Sequence, residues 1–236
     1  MKNRAITAAL LILGPTMLLA QSFEEKTANV DLLREKPVQT ELGITDALRD
    51  KMNKVADEFN KNSNELLEAF KKDNPNAQGP DEALVKKINT FKLDLNRKIL
   101  KLLSPAQVKR LSEITLQILG YQALLSDDVA KKIGLDAAQS KKLRDGFTSL
   151  NRQVQEVQQK ALKPIYDKYG KQQPKNEEEA KALQEKANKE AQEVAKSAEP
   201  ELTKLRNEWL TLVKKTVKAI QLNRFEALQG QPFKAS

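Results

Sequence analysis

Neither cysteine nor histidine occurs anywhere in this sequence of 236 residues. Their absence excludes disulfides, thiol or imidazole nucleophiles, the Ser-His-Asp arrangement, and the usual zinc, copper, haem and iron–sulfur ligand sets. Carboxylate sites for calcium or magnesium survive this filter, but no loop has the D-x-[DN]-x-[DN]-G spacing that would build one. Aromatic residues are only 5% of the chain, so its core must be made of Leu, Ile, Val and Ala in thin helix-on-helix layers. Glycine (8) and proline (9) are also scarce. What remains is rich in Ala, Leu, Lys, Gln and Glu, all strong helix formers, and 31% of the chain is charged. The expected fold class is all-α, with long helices.

The N-terminus reads as an export signal. Met1-Lys2-Asn3-Arg4 is basic, and Ala5 to Leu19 is apolar apart from Thr7, Gly14, Pro15 and Thr16. Leu18-Leu19-Ala20 resembles a small-residue cleavage site. The apolar run is short for a bilayer span and is broken by Gly14-Pro15, which favours a cleaved signal over an anchor. Residues 1–20 are therefore expected to be removed, leaving a periplasmic or secreted chain that starts at Gln21. With no cysteine available, it is not a lipoprotein. The formal charge of +9 becomes +7, because the signal carries two bases and no acid.

Along the mature chain, residues 21–29 are polar and read as a flexible N-terminus. Short helices are expected around Val30–Glu35 and Pro37–Leu42, ending at Gly43. Thr45 is a candidate N-cap for a helix to about Asp73, with Leu48, Met52, Val55, Phe59, Leu66 and Phe70 on one face. Residues 74–80 form a breaker-rich turn, and helix resumes with the stripe Leu84, Val85, Ile88, Phe91, Leu95, Ile99 and Leu102. Further starts are expected at Ser104 and Asp136. From Asp136 a heptad seam runs through Leu143, Phe147, Leu150, Val154, Val157 and Ala161. After the Pro174 turn, Asn176 reopens helix; Pro200 is expected to kink or divide it. The stripe then continues through Leu202, Leu205, Trp209, Leu212, Thr216 and Ile220.

One pattern occurs four times: an apolar residue, usually Gln four positions on, a base three further, then another apolar residue. The copies are Ile44…Leu48-x-x-Lys51-Met52, Leu103…Gln107-x-x-Arg110-Leu111, Leu135…Gln139-x-x-Lys142-Leu143 and Val217…Gln221-x-x-Arg224-Phe225. The first and third follow a Gly at a helix end; the second and fourth each close the return helix. The chain thus reads as two tandem long helical hairpins, 30–120 and 125–233, forming an elongated or cradle-like body.

Leu103-Ser104-Pro105-Ala106-Gln107 resembles the L-T-x-x-Q motif of the Spy/CpxP-like periplasmic helical proteins, and Leu135-Asp136-Ala137-Ala138-Gln139 is a looser match. The resemblance covers the motif regions and the general architecture. It implies an exported, all-helical protein of the kind that acts as an ATP-independent chaperone or envelope-stress sensor. Its best-understood members are cradle-shaped homodimers. Zinc binding, known in some relatives, does not carry over to a chain without His or Cys.

The motif residues Leu103, Ser104, Gln107, Leu135, Asp136 and Gln139 are read first as structural, since Ser/Asp-x-x-Gln is the spacing of a helix capping box. Asp127-Asp128 and Glu177–Glu179 fall in first helical turns, where carboxylates complement the dipole. Trp209, Tyr166 and Tyr169 read as packing residues. No nucleotide loop or nucleophile motif is present, so neither an enzyme nor a bound cofactor or metal is expected. Bases are spread and interleaved with acids, and export argues against nucleic acid as the partner. The leading expectation is a periplasmic binding protein of chaperone or envelope-stress type, holding unfolded or folded envelope proteins. The alternative is a structural or scaffolding protein bound to a folded partner or an anionic envelope surface. Two hairpins in one chain could supply the paired surface that the resembled family makes by dimerising, so a monomer is expected.

Overall fold

The computed structural model describes residues 21–75, 77, 79–170, 172, 174 and 176–234; the expected export signal, 1–20, lies outside the described residues. The protein is all-α. The described chain falls into two compact units, dividing after Gly120 and again after Phe225. The first unit includes the C-terminal stretch from Glu226, so residues 226–233, expected to belong to the second hairpin, pack with the first.

The first unit opens with α1 (Phe23–Thr27), a 3-10 turn (Val30–Arg34) and α2 (Lys36–Glu41). The long helices α3 (Asp46–Asp73) and α4 (Glu82–Leu102) then pack against each other as a hairpin, followed by α5 (Pro105–Leu119). Residues 21–29, expected to be flexible, are tied down. Ser22 closes a capping box with Glu25. The Thr27 and Ser112 hydroxyls share a hydrogen bond of 2.5 Å, and the Asn29 amide donates to Thr115 Oγ1 at 3.0 Å. The polar composition of this segment misleads because Thr27 and Asn29 bond buried hydroxyls on α5, beside Ala28, which packs against the core. The core sits at the base of the hairpin, where Val38, Leu42, Met52, Ile99, Leu103 and Leu111 meet.

The second unit repeats the plan. A 3-10 turn (Gly120–Leu125) and α6 (Asp127–Ile133) lead to α7 (Ala137–Tyr169), which returns as α8 (Glu177–Thr216); α9 (Ala219–Gln229) starts in this unit and ends in the first. Its core is again basal: Leu124, Val129, Ile133, Leu143, Val213 and Phe225 are all at most 1% exposed. Phe147 meets Trp209 edge-on at 5.2 Å between ring centres.

Three further expectations need correction. The α8 helix runs unbroken across Pro200, which lies on the exposed face, where water can serve the Lys196 carbonyl that loses its donor. Val85 and Ile220, both assigned to buried stripes, are 42% and 57% exposed. Val85 follows the buried Leu84 and so stands about 100° round α4 from it; Ile220 lies beyond the end of α8, in the following helix. Tyr166, read as a packing residue, is 68% exposed.

Candidate functional site

The repeated pattern marks the places where helix starts interlock. At the start of α5, Ser104 Oγ accepts from the Gln107 amide at 3.2 Å, and Gln107 Oε1 accepts from the Ser104 amide at 2.9 Å. That capping box leaves Gln107 Nε2 free to donate to the Leu42 carbonyl at 2.9 Å, across the unit. The start of α7 is built the same way. Asp136 and Gln139 cap each other, and Gln139 Nε2 donates to the Thr216 carbonyl at 2.7 Å. Here the fourth copy answers: Gln221 Nε2 donates to the Gly134 carbonyl at 2.6 Å, and the Gln139 and Gln221 amides bond reciprocally at 2.9 and 3.0 Å. Gln221 was not among the candidate motif residues. Its position four residues after Val217 in the repeat was the available clue. In the first unit the reciprocal bond is missing because Leu48 stands where Gln is expected.

The flanking residues serve the same joints. Met52, Leu111, Leu143 and Phe225, the closing apolar residue of each copy, are all buried, as is Leu103 at the opening of the second, while Leu135 is half-buried. The base of the second copy, Arg110, bonds Glu41 through Nε and Nη2 and reaches Glu113 and the Gln231 carbonyl through Nη1. This draws the C-terminal stretch onto α5, where Gln117 also donates to the Gln231 carbonyl. In the fourth copy Arg224 Nη1 donates to the Ile133 carbonyl at 3.2 Å. Gly134 between these partners has φ +82°, and a Cβ there would stand 3.1 Å from Arg224 Nη1. Gly134→Ala is therefore expected to destabilise the second unit by about 1–2 kcal/mol, the cost of left-handed backbone for a residue with a Cβ. Urea unfolding followed by tryptophan fluorescence checks this.

No family model, curated protein or solved structure matches this chain. The site must therefore be read from its own chemistry. Among the described residues no group of three or more acidic, His or Cys side chains could hold a metal ion, and no helix is long and apolar enough to cross a membrane.

The hairpin arms differ from the bases. Among the described residues from 144 to 204 no side chain is buried. Leu150, Val154, Val157 and Leu162 on α7, and Leu183, Ala187, Ala191, Val194 and Ala198 on α8, are all half-buried. The cause is geometric. Two helices cover each other along one line of contact, and a stripe wider than that line keeps its edges in water unless a third helix arrives. The α3–α4 arm is similar: from 53 to 98 only Ser63 and Leu84 are buried among the described residues.

Near the tip of the second arm the Lys168 ammonium bonds Glu190 at 2.5 Å and lies 5.0 Å from the centre of the Tyr169 ring. The Tyr169 hydroxyl donates to the same carboxylate at 2.7 Å. The Lys168 bond first, and the Tyr169 bond second, hold Glu190 below the usual carboxylate range, against the opposing effect of burial. This cluster staples α7 to α8 where apolar packing is thin.

Proposed function

We propose that this protein is an exported, periplasmic binding protein of chaperone type, which holds exposed apolar segments of other envelope proteins without ATP. The observation that carries the reading is the half-buried apolar stripe along each two-helix arm, lying between rows of solvated charge. The resemblance of Leu103–Gln107 and Leu135–Gln139 to the Spy/CpxP-like motif supports it independently.

Magnitudes favour weak, reversible holding. Completing the burial of Leu150, Val154, Val157 and Leu162 is worth about 1 kcal/mol each, or about 4 kcal/mol together. Alone that corresponds to millimolar affinity, so capture depends on several contacts at once and on charge to bring client and arm together. Charge acts over about 8–10 Å at physiological salt, whereas the apolar contact is not weakened by moderate salt.

The test is light scattering of a chemically denatured acidic client diluted into buffer with the mature protein. Suppression of aggregation is expected at near-stoichiometric ratio without ATP, with a capture rate that falls as salt rises more than the final protection does. Val154→Gln with Val157→Gln should reduce protection while leaving helix content unchanged. No protection at several-fold excess would remove this reading and leave the scaffolding alternative.

A further inference from the structure

The four repeat copies provide an internal comparison of what the fold requires at each helix start. The residue after the opening apolar position is Thr45, Ser104 and Asp136 in the first three copies, and each accepts a capping bond from the backbone amide three residues on. In the fourth copy it is Lys218, whose backbone amide donates to Gln221 Oε1, as in the other boxes, but whose side chain has no oxygen to complete the cap. A cation at the first turn of α9 is also what the helix dipole disfavours. Two positions further, the first three copies carry the exposed Ala47, Ala106 and Ala138; the fourth carries Ile220, 57% exposed. The fold is therefore satisfied by a small polar cap and an alanine, and the fourth copy departs from both toward a cation and a protruding aliphatic side chain.

The charge of the whole chain converges on the same place. The mature first unit holds eighteen bases and seventeen acids, and the second twenty-one and fifteen. Six of the seven net positive charges thus belong to the second unit. Within it the arm, 151–202, is neutral, with ten of each sign. The excess lies at the basal end, where 121–150 and 203–225 carry eleven bases against five acids. The Gln221–Gly134 and Gln139–Thr216 bonds bring the ends of α6 and α8 together with the starts of α7 and α9 at this end. Lys141 and Arg144 are paired with Asp145 and Asp127. Lys131, Lys142, Lys214, Lys215 and Lys218 are exposed, with no ion-pair partner among the described residues. Helix C-termini account for Lys131, Lys214 and Lys215, but not for Lys142 or Lys218.

We propose that the basal end of the second unit is a docking surface for an anionic phospholipid bilayer, with Lys214, Lys215 and Lys218 against the phosphates and Ile220 entering the headgroup region. Three exposed lysines and one protruding aliphatic side chain within seven residues of the chain suit a deformable, multiply charged interface. An acidic peptide is the poorer fit, because the neighbouring hollow between α6 and α7, the concave place a peptide would need, is lined by no residue of α9 and so excludes Ile220. This inference does not rest on the client-holding reading, which concerns the arms.

The experiment is co-sedimentation of the mature chain with vesicles of phosphatidylcholine, with and without about one-third phosphatidylglycerol. Binding is expected only to the anionic vesicles, and to weaken as salt rises. Combined Lys214→Glu, Lys215→Glu and Lys218→Glu should reduce it about tenfold or more. The same change of net charge on the arm of the same unit, by Lys160→Glu on α7 with Lys186→Glu and Lys196→Glu on α8, should reduce it less than about threefold, because at ~1.5 Å per residue these lie about 25 Å or more along their helices from the basal end. Ile220→Gln should weaken vesicle binding but leave binding to soluble polyglutamate unchanged. All substituted side chains are exposed, and circular dichroism confirms that each variant remains folded. Equal losses for the two triple variants would overturn the proposal, leaving only nonspecific charge. So would an indifferent Ile220→Gln with polyglutamate displacing the vesicles, which would indicate an acidic protein partner, and so would failure to bind anionic vesicles at low salt.

Discussion

Leu143→Ala is expected to destabilise the second unit by about 2–5 kcal/mol, whereas Leu150→Ala, one heptad further along the same stripe, should cost only about 1 kcal/mol. Leu143 is fully buried at the base of α7, so truncating it removes apolar contact and leaves a cavity between helices that cannot close over it. Leu150 lies where only α8 covers the seam, and water already reaches one side of it. Truncation there loses part of a transfer term and creates no enclosed void. The chain supplies its own reporter. Trp209 is its one tryptophan, is buried at 8% exposure, and belongs to the second unit, so fluorescence in urea follows this unit alone. Similar losses at the two positions would mean that the arm is as well packed as the base, and would remove the partial exposure on which the client-holding proposal depends.

The Gln139–Gln221 pair has the second large effect. Gln139→Leu should cost about 1–3 kcal/mol, because it leaves the Thr216 carbonyl and the Asp136 amide without their partner and half of the reciprocal amide pair unanswered. Gln221→Leu should cost a similar amount through the Gly134 carbonyl and the Lys218 amide. The double variant should lose less than the sum, by about 1 kcal/mol, since the second substitution removes a polar group that the first has already stranded. Gln107→Leu in the first unit has no glutamine partner and is expected to show no such coupling with Leu48→Ala. A double-mutant cycle read by Trp209 fluorescence measures the coupling in the second unit. Strict additivity would mean that the amide pair contributes nothing beyond its separate bonds to backbone.

The glutamines also show how sequence and structure divide the information. The capping boxes at Ser104 and Asp136 were legible as Ser/Asp-x-x-Gln, because a cap is closed by residues three apart and needs nothing distant. The helix limits at Asp73, Leu119 and Ile133 were legible for the same reason, from breakers and glycines beside them. The free amide of each glutamine was not. Its carbonyl partner lies 65 to 87 residues away in the chain, and no spacing rule reaches that far.

Local periodicity, with caps and breakers, by itself determined that this chain is helical, where its long helices start, and that they recur as two hairpins. Only the tertiary structure decided which part of each stripe is dry. Leu143 and Leu150 look identical in the heptad pattern, and the difference between them is the number of helices overhead. It also decided that residues 21–29 are anchored through Thr27 and Asn29, and that the chain from Glu226 returns to the first unit. Both depend on polar groups of α5 meeting distant partners, and a hydrophobic pattern records only where apolar side chains fall.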